Sequence, residues 1–437
     1  MFHLKGLRYR LYPSPEQAAD FERIAGCCRL VYNLGLEQRR DHWRNFRVCT
    51  GNSISWFSQN SEMPEMKREF PFLKAVPSHC LQAALGDLNA AYQRFFDGLS
   101  GYPKPRRKFQ HDSFAFPDRK QVEIRHLGNG WAELVLPKFG RTAKDGGAIR
   151  IRLHRQLVGE IRKVTISRDG GHWFASVLVK VRHKAPATVT NQPIEANDVI
   201  GIDRGVAVPF ALSNGEMLGN KTEGERQIER QKRLQRAVSR RKRGSANRAK
   251  ACRALAAHKA KVARRRRDTT HKITHAIAKN HRVVVIEKLA VKAMTASARG
   301  TAEEPGCNVA QKAGLNRAIL DKGWGEFRRQ LGYKLAWQGK MLLEVPARNT
   351  SRTCGSCGHV AAESRMSQAI FACVACGHTA NADMNAAVEI RRRGLQALGV
   401  DTRKERPGQP VEPSALALAM KQETENEDIR SAALAAA

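Results

Sequence analysis

The sequence predicts a multidomain α+β protein. Its 437 residues are enough for about three domains, and 42% of them are hydrophobic, so each domain can bury a core. Stretches in which apolar residues recur at helical spacing are separated by runs of short alternating strands. Two Cys-x-x-Cys pairs in the last quarter of the chain indicate a small metal-binding module.

The N-terminal part is predicted to contain one strand followed by helices. Residues 2–12 have the composition of a strand. A helix is expected over about 15–46, because Ser14 and Gln17 can form a capping box at its start. After a loop rich in Asn, Ser and Pro, a second helix is expected over about 78–99, since its leucines and aromatic residues share one face.

The next part of the chain, 113–184, is predicted to form a small β-barrel or sandwich. Five short strands follow one another, and Arg168 to Gly171 has the composition of a hairpin turn. Basic and aromatic side chains interleave on these strands. That pattern fits a nucleic-acid-binding sheet and equally an ordinary half-exposed sheet. A polar linker is expected over 186–197.

A second α/β region is predicted to begin near residue 198. Apolar strands are expected over 199–203, 283–286 and 341–345, and a helix over about 314–339. The Ala-, Pro- and Glu-rich segment from about residue 408 is predicted to be a disordered tail, with a short terminal helix as the alternative.

The charge of the chain points to a polyanionic partner. Lys and Arg outnumber Asp and Glu by 76 to 41, a net charge of +35. Residues 221–280, predicted to be helical, hold 21 basic and four acidic residues, a net +17. Nucleic acid is the commonest such partner. A membrane is disfavoured, because no run of about 18 apolar residues exists, and no secretory signal opens the chain. We therefore expect a cytoplasmic protein.

Four cysteines are spaced as ligands of one metal ion. Cys354 and Cys357 form one Cys-x-x-Cys pair, Cys373 and Cys376 form another, and 15 residues separate the pairs. Four thiolates suit a closed, structural zinc site, with an iron–sulfur cluster as the alternative. His359 and His378 follow the two pairs but are better explained as flanking residues than as ligands. The remaining cysteines lack such spacing.

Three carboxylates occupy positions that suit a second metal site. Asp203 and Glu287 end apolar strands, and Asp383 lies at the predicted start of a helix. If they converge, they could hold two Mg²⁺ ions for phosphodiester cleavage. The pattern alone also allows these acids to cap turns or to pair with arginines, and Asp198 and Asp321 are available as well.

Taken in order, the motifs resemble those of the TnpB (OrfB) family of transposon-encoded proteins, relatives of the type V CRISPR effector nucleases. The resemblance covers most of the chain, and its most specific parts are the last two stretches. The matching stretches are GCCRLVYN (26–33), VPSHCLQAALGDL (76–88), GYPKP (101–105), IGIDRGV (200–206), VVIEKL (284–289), WGEFRRQL (324–331), NTSRTCGSCGH (349–359) and ADMNAA (382–387).

The resemblance implies a specific domain order. It implies an RNase H-like RuvC α/β domain with an inserted four-cysteine zinc ribbon, preceded by an N-terminal helical lobe and a wedge β-barrel. The expected segments are a first wedge strand (1–12), a helical recognition lobe (13–110), the wedge β-barrel (111–185), the linker (186–197), the nuclease domain (198–348), the zinc ribbon (349–380), a closing helix (381–395) and the tail (396–437).

The resemblance also implies an activity and partners. Asp203, Glu287 and Asp383 match the three RuvC acids, so a Mg²⁺-dependent endonuclease is expected, which a guide RNA from the transposon end directs to double-stranded DNA beside a short motif. The alternative is a non-cleaving nucleic-acid-binding accessory protein or regulator of transposition. The resemblance further implies a nucleoid-associated protein of prokaryotic type. Self-association is left open. Candidate nucleic-acid contacts are Tyr102, Lys104, Arg106, Arg107, Lys108, Arg240, Arg241, Lys242, Arg243, Arg264, Arg265, Arg266, Arg267 and Arg352.

Overall fold

The computed structural model describes residues 2–46, 49, 51–110, 112–137, 139, 147–182, 193–219 and 225–400. The predicted tail (396–437) lies outside the described residues from 401 onward, as does most of the predicted linker. The first residues of that tail were wrongly assigned, because the closing helix continues to Ala397. Two compact units are present. The first contains the described residues up to 182 together with Arg233–Ala260, and the second contains those of 193–232 and 261–400.

The first unit is built on one antiparallel sheet of seven strands. The strand bounds are β1 (Phe2–Tyr12), β2 (Ser113–Phe116), β3 (Glu123–Gly128), β4 (Trp131–Val135), β5 (Ile149–Arg152), β6 (Glu160–Asp169) and β7 (His172–Arg182). The strands lie in the order β2-β6-β7-β1-β5-β4-β3. A ladder between β2 and β3, which would close a barrel, is not among the pairings of the described residues, so barrel closure stays a prediction.

Helices cover one face of this sheet. The long helix α1 (Pro15–Asn45) begins with the predicted capping box, in which the amide nitrogen of Gln17 donates to Oγ of Ser14. It packs against α4 (Ser78–Phe96), and both helices contact β2. Phe21 of α1 lies within 6 Å of the rings of Phe114, Phe139 and Trp173. This aromatic cluster is part of the core that joins the helices to the sheet.

Two elements of the first unit differ from the sequence prediction. The segment expected to be a loop contains the short helices α2 (Trp56–Ser61) and α3 (Met63–Glu69). Ser55 caps the first of these, and Pro64 lies in the opening turn of the second. Helices this short contain too few turns to show a period in the sequence. Strand β3 was also not predicted, because its side chains are mostly exposed and do not alternate.

The second unit contains a five-stranded sheet. Its strands are β8 (Val199–Asp203), β9 (Phe210–Leu212), β10 (Met217–Leu218), β11 (Val283–Lys288) and β12 (Met341–Pro346). They lie in the order β10-β9-β8-β11-β12; β8, β11 and β12 are parallel, whereas β9 pairs antiparallel to both β8 and β10. A separate hairpin joins β13 (Ile370–Ala372) to β14 (Thr379–Asn381).

Helices pack on both faces of the five-stranded sheet. Val284 and Ile286 of β11 share a core with residues of α6 (Ala246–Asn280) and α9 (Trp324–Trp337). Val283 and Val285 point the other way, toward Ile390 and Leu395 of α10 (Ala382–Ala397). Both faces of β11 are therefore buried, which explains its continuous apolar run.

The helix predicted over 314–339 is in fact two helices. Helix α8 (Val309–Lys322) ends at Gly323, and α9 begins immediately afterwards. Gly323 has φ +67°, a left-handed conformation that stops the helix and that glycine adopts without strain. The apolar spacing continues across the break, so the sequence pattern does not show it. Helix α7 (Val291–Met294) is a single short turn.

The basic stretch also consists of two helices, α5 (Glu225–Ser239) and α6, joined by a turn over 240–245. Within the described part of the chain, no helix combines the length and apolarity that crossing a bilayer requires.

Candidate active site and four-cysteine cluster

The three predicted acids lie at one edge of the second sheet. Ile202 of β8 pairs with Ile286 of β11 in parallel register, so Asp203 and Glu287 are the next residues along adjacent strands. By strand alternation both side chains face the side that α10 covers. Asp383 lies in the first turn of that helix. The sheet edge and the helix start thus bring together residues that are far apart in the sequence.

Close approach of α10 to β8 places Asp383 at this edge. A Cβ on Gly201 would lie closer than 3.0 Å to the carbonyl oxygen of Ala387 and to the backbone nitrogen of Arg391. Helix and strand therefore touch backbone to backbone. Arg391 reinforces the contact, because its Nε donates to the carbonyl oxygen of Val199 at 2.9 Å. Only glycine at position 201 leaves room for this packing.

Burial disturbs the ionisation of all three acids, and the nearby carboxylates add to this effect at Asp203. Burial, together with the nearby carboxylates of Glu287 and Asp383, raises the pKa of Asp203 to about 7. Burial also raises the pKa of Glu287 and of Asp383. A bound divalent cation would offset the cost of charging the three carboxylates together and would favour their ionised form. The residues present therefore fit a site for hard cations such as Mg²⁺.

Neighbouring polar groups hold the acids in place. The hydroxyl of Thr350 donates to Oε1 of Glu287, and the guanidinium of Arg204 donates to the backbone carbonyl of Glu287. The guanidinium of Arg365 lies 4.0 Å from a carboxylate oxygen of Asp383 and opposes the rise in the pKa of that acid. Sequence reasoning did not single out these three residues.

The other acids considered from the sequence have different roles in the structure. Asp198 accepts from Arg282 at 2.8 Å, and Asp321 accepts from Arg266 at 2.6 Å. Both are ordinary ion pairs, in agreement with the alternative explanation for acids at the ends of elements.

The four cysteines form one cluster. Their sulfur atoms all lie within 4.8 Å of one another. Sγ of Cys354 lies 3.8 Å from that of Cys376, and Sγ of Cys357 lies 3.6 Å from that of Cys373. A tetrahedral ion with bonds of about 2.3 Å to sulfur would place its ligands about 3.8 Å apart. The cluster could therefore hold zinc.

The two Cys-x-x-Cys loops have the same backbone construction. The amides of Cys354 and Cys373 donate to the carbonyl oxygens of His359 and His378, each at 2.9 Å. The histidines contribute backbone atoms to the loops, and their rings are not part of the ligand group found among the described residues. Backbone amides of Cys376 and Ala375 that point at the sulfur lower the pKa of Cys373 to about 6, which favours a thiolate.

The candidate nucleic-acid contacts fall into two groups. Some are committed to internal contacts: Tyr102 shares a hydrogen bond with Tyr92, Arg106 pairs with Asp87, and Arg266 pairs with Asp321. Arg264 is half-buried, and Arg241 donates to a neighbouring backbone carbonyl. The other members are exposed: Lys104, Arg107, Lys108, Arg240, Lys242, Arg243, Arg265, Arg267 and Arg352. Their role in binding stays a prediction.

Comparison with known proteins assigns the chain to a class. Three family descriptions match it: "Helix-turn-helix domain" of the OrfB/IS605 type over 1–47, "Probable transposase" of the same type over 176–298, and "Cas12f1-like, TNB domain" over 324–390. These matches indicate the class of transposon-encoded proteins, with similarity to a CRISPR effector in the C-terminal part of the chain.

Similar curated proteins narrow the class to one family. The chain is 35% identical over 400 residues to "Putative RNA-guided DNA endonuclease InsQ" of Escherichia coli (strain K12), covering 91% of this chain and 94% of that protein. It is 34% identical to a "Putative RNA-guided DNA endonuclease" of Streptomyces pristinaespiralis, covering 90% of each. The chain belongs to the TnpB (OrfB) family.

A solved structure supports the fold. The Cas12f1 protein in a cryo-EM structure of a Cas12f1–sgRNA–target DNA complex superposes with a TM-score of 0.55 over 89% of this chain and 99% of that one. The sequence identity is 14%, so this likeness is evidence for the fold alone.

Proposed function

We propose that this chain is a Mg²⁺-dependent, RNA-guided DNA endonuclease of transposon origin that cuts next to a short adjacent motif. The convergence of Asp203, Glu287 and Asp383 on one sheet edge is the observation that supports it most strongly. The topology of the sheet supports an RNase H-like RuvC domain, because three adjacent parallel strands, β8, β11 and β12, are extended on the β8 side by the antiparallel strand β9 and then by β10. The names of the similar proteins from Escherichia coli and Streptomyces favour the same activity.

In this proposal the three carboxylates would hold two Mg²⁺ ions through their oxygens. When bound, such ions would supply an activated water and stabilise the leaving oxygen in phosphodiester hydrolysis. Thr350 fixes the orientation of the Glu287 carboxylate by donating to its Oε1. Base pairing by the guide RNA would select the target, and the protein would read only the adjacent motif.

One experiment tests the activity and identifies the guide together. The chain is co-expressed with its flanking DNA and purified, and the bound RNA is sequenced. The complex is then incubated with Mg²⁺ and DNA whose flanks are randomised. We expect one discrete RNA and cuts beside one flank sequence. A discrete RNA with no cleavage would instead favour the regulator, and the absence of a discrete RNA would favour the accessory transposition protein.

We also propose that the four cysteines bind a structural zinc ion. Replacing Cys354 by Ser should remove close to one equivalent of zinc and reduce cleavage, because the cluster lies next in space to the start of α10. Zinc content is measured by elemental analysis of the purified protein. Cys252→Ser and Cys307→Ser, two exposed cysteines outside the cluster, serve as controls and should keep their zinc. Full zinc content in Cys354→Ser would contradict the assignment.

The outer face of the seven-stranded sheet is a further place where nucleic acid is expected to bind. Arg150 and Arg152 of β5 are exposed, and their guanidinium carbons lie 5.0 and 5.1 Å from the ring centre of Trp131. Tyr12 packs edge-on against that tryptophan at 5.2 Å. Stacking on aromatic rings limits the motion of the guanidinium groups, so they are arranged in advance for phosphate oxygens.

Removing this pair of charges should weaken RNA binding in a salt-dependent way. The double variant Arg150→Gln/Arg152→Gln is expected to bind the co-purified RNA less tightly and to reduce the slope of log affinity against log salt by about one to two. The matched control is Arg125→Gln/Arg162→Gln, which removes two exposed arginines of the same sheet that already pair with Glu123 and Glu160. An equal change in the control would mean that RNA affinity depends on net charge alone and not on the positions of Arg150 and Arg152.

A further inference from the structure

Asn385 connects helix α10 to the first cysteine loop. Its side chain is 2% exposed. Nδ2 donates to the carbonyl oxygen of Thr353 at 2.8 Å, and Oδ1 accepts from the amide of Gly355 at 2.9 Å. These two backbone groups flank Cys354. The amide side chain thus brackets a cysteine of the cluster from both sides, and both of its polar atoms have partners.

The same helix turn carries Asp383. Oδ1 of Asn381 caps the helix by accepting from the amides of Asp383 and Met384 at 3.0 and 3.3 Å. Asp383 and Asn385 are two residues apart on this capped turn. A displacement of the first cysteine loop would therefore move Asn385, and with it the backbone that carries Asp383.

A second connection leads from the cysteine loop to Glu287. Thr350, which is 3% exposed, donates to the carboxylate of Glu287. Between Thr350 and the loop the chain forms a tight turn: the carbonyl oxygen of Asn349 accepts from the amides of Arg352 and Thr353 at 3.0 Å and from the hydroxyl of Thr353 at 2.7 Å. The hydroxyl that orients Glu287 is thus part of the same hydrogen-bonded turn that enters the cluster.

The helix and this turn are joined once more farther along α10. Glu389 is fully buried and accepts from Arg392 and Arg393. Arg393 also donates to the carbonyl oxygens of Pro346 and Arg348, each at 2.8 Å. The segment between β12 and the first cysteine loop is therefore held along its length by α10.

We propose that Asn385 and Thr350 are positioning residues through which the cysteine-bound ion sets the distance between Asp383 and Glu287. The inference rests on the proposed nuclease function. If the ion at the cysteines is lost, the acidic site should bind divalent cations more weakly. Polar groups that orient metal ligands typically change metal affinity or activity by ten- to a hundredfold when removed.

The test uses the full chain with its bound RNA and without DNA. Mn²⁺ binding is measured by titration calorimetry, and the Mg²⁺ concentration for half-maximal cleavage is measured separately. Asn385→Ala and Thr350→Val are each expected to weaken Mn²⁺ binding at least about tenfold and to raise the Mg²⁺ requirement to a similar extent. Zinc content and RNA affinity should stay at the wild-type values, and high Mg²⁺ should restore cleavage.

Two controls separate positioning from a general loss of stability. Thr350→Ser keeps the hydroxyl and should recover Mn²⁺ affinity. Asn316→Ala removes an asparagine in the same unit whose side chain also makes two hydrogen bonds to the backbone, in this case by donating to the carbonyl oxygens of Thr295 and Ala296, which are not part of the cysteine loops or of the strands and helix that carry the acids. It should bind Mn²⁺ like the wild type. If Asn385→Ala does not fold, the comparison of Thr350→Val with Thr350→Ser tests the proposal.

A double variant tests whether the cysteine cluster acts through Asn385. Cys354→Ser/Asn385→Ala should bind Mn²⁺ no more weakly than Cys354→Ser alone, because the connection is already broken. Additive losses would overturn the proposal, and so would wild-type Mn²⁺ affinity in both Asn385→Ala and Thr350→Val. A wild-type complex that binds Mn²⁺ but never cuts DNA would overturn the proposed function and leave the positioning result readable.

Discussion

Replacing Asp203, Glu287 or Asp383 by its amide is expected to reduce DNA cleavage by roughly a thousandfold or more while leaving RNA affinity unchanged. The amide keeps the shape of the side chain but removes the charge that holds a divalent cation. Cleavage rates with excess complex and gel-shift affinities measure the two properties separately. Loss of RNA binding in all three variants would mean that the acids support the fold and not the chemistry.

Asp203→Asn should stabilise the folded chain in the absence of a divalent cation, although it abolishes cleavage. The pKa of Asp203 is raised from 3.8 to about 7, so the folded chain without a cation favours the protonated acid. The ionised side chain thus lowers the free energy of unfolding as the pH rises from about 4 through 7. Asp203→Asn removes this cost, and we expect a higher melting temperature in a chelator-containing buffer at pH 8.

Two acids of the same unit that lie away from the candidate active site provide the matched controls for these substitutions. Asp198→Asn and Asp321→Asn each remove a carboxylate that pairs with an arginine in the same unit. Both should cleave DNA at nearly the wild-type rate, since these partly exposed ion pairs lie away from the three acids and such pairs contribute little to stability. A loss as large as that of Asp203→Asn in either control would show that net charge, and not the position of the acid, determines cleavage.

Gly201→Ala is expected to abolish cleavage without touching any acid. The new methyl group would meet the backbone of α10 at Ala387 and Arg391, which cannot yield as a flexible side chain would. The helix must move away from β8 and carry Asp383 out of place. We expect a loss of about 3 kcal/mol or more in the free energy of unfolding, which chemical denaturation would measure.

The control for this variant is Gly219→Ala. Gly219 directly follows β10 of the same sheet, and a Cβ there would meet nothing within 4 Å. It should leave both stability and cleavage close to the wild-type values. If Gly201→Ala also cleaves normally, α10 does not need its close contact with the strand to position Asp383.

Patterns that repeat along the chain made much of the fold predictable. The capping box at Ser14 and Gln17 placed the start of α1 correctly, and the apolar run of β11 indicated a strand buried on both faces. The cysteine spacing predicted a cluster that the structure contains. Elements without a repeating pattern were not predictable: α2 and α3 are too short, and the break at Gly323 interrupts no apolar spacing.

The candidate site was predictable only in part. Strand-end positions brought Asp203 and Glu287 to notice, but the residues alone did not show that Asp383 would join them; the resemblance to a family did. Thr350 and Asn385 lie inside two of the stretches that carry that resemblance. Nothing in their residue types separates a buried bridge from a helix cap or a turn, because the difference lies in partners that only the folded chain brings near.

The order of the acids along the chain has a consequence for timing. Asp383 follows Glu287 by 96 residues, and the helix that carries it packs on a strand made much earlier. A ribosome that adds about 5–20 residues per second needs roughly 5–20 s to bridge that interval. During this time the nascent chain already contains the basic helices α5 and α6 and two of the three acids. For the proposed nuclease, RNA binding could therefore begin during synthesis, whereas DNA cleavage would have to wait until α10 has emerged and docked.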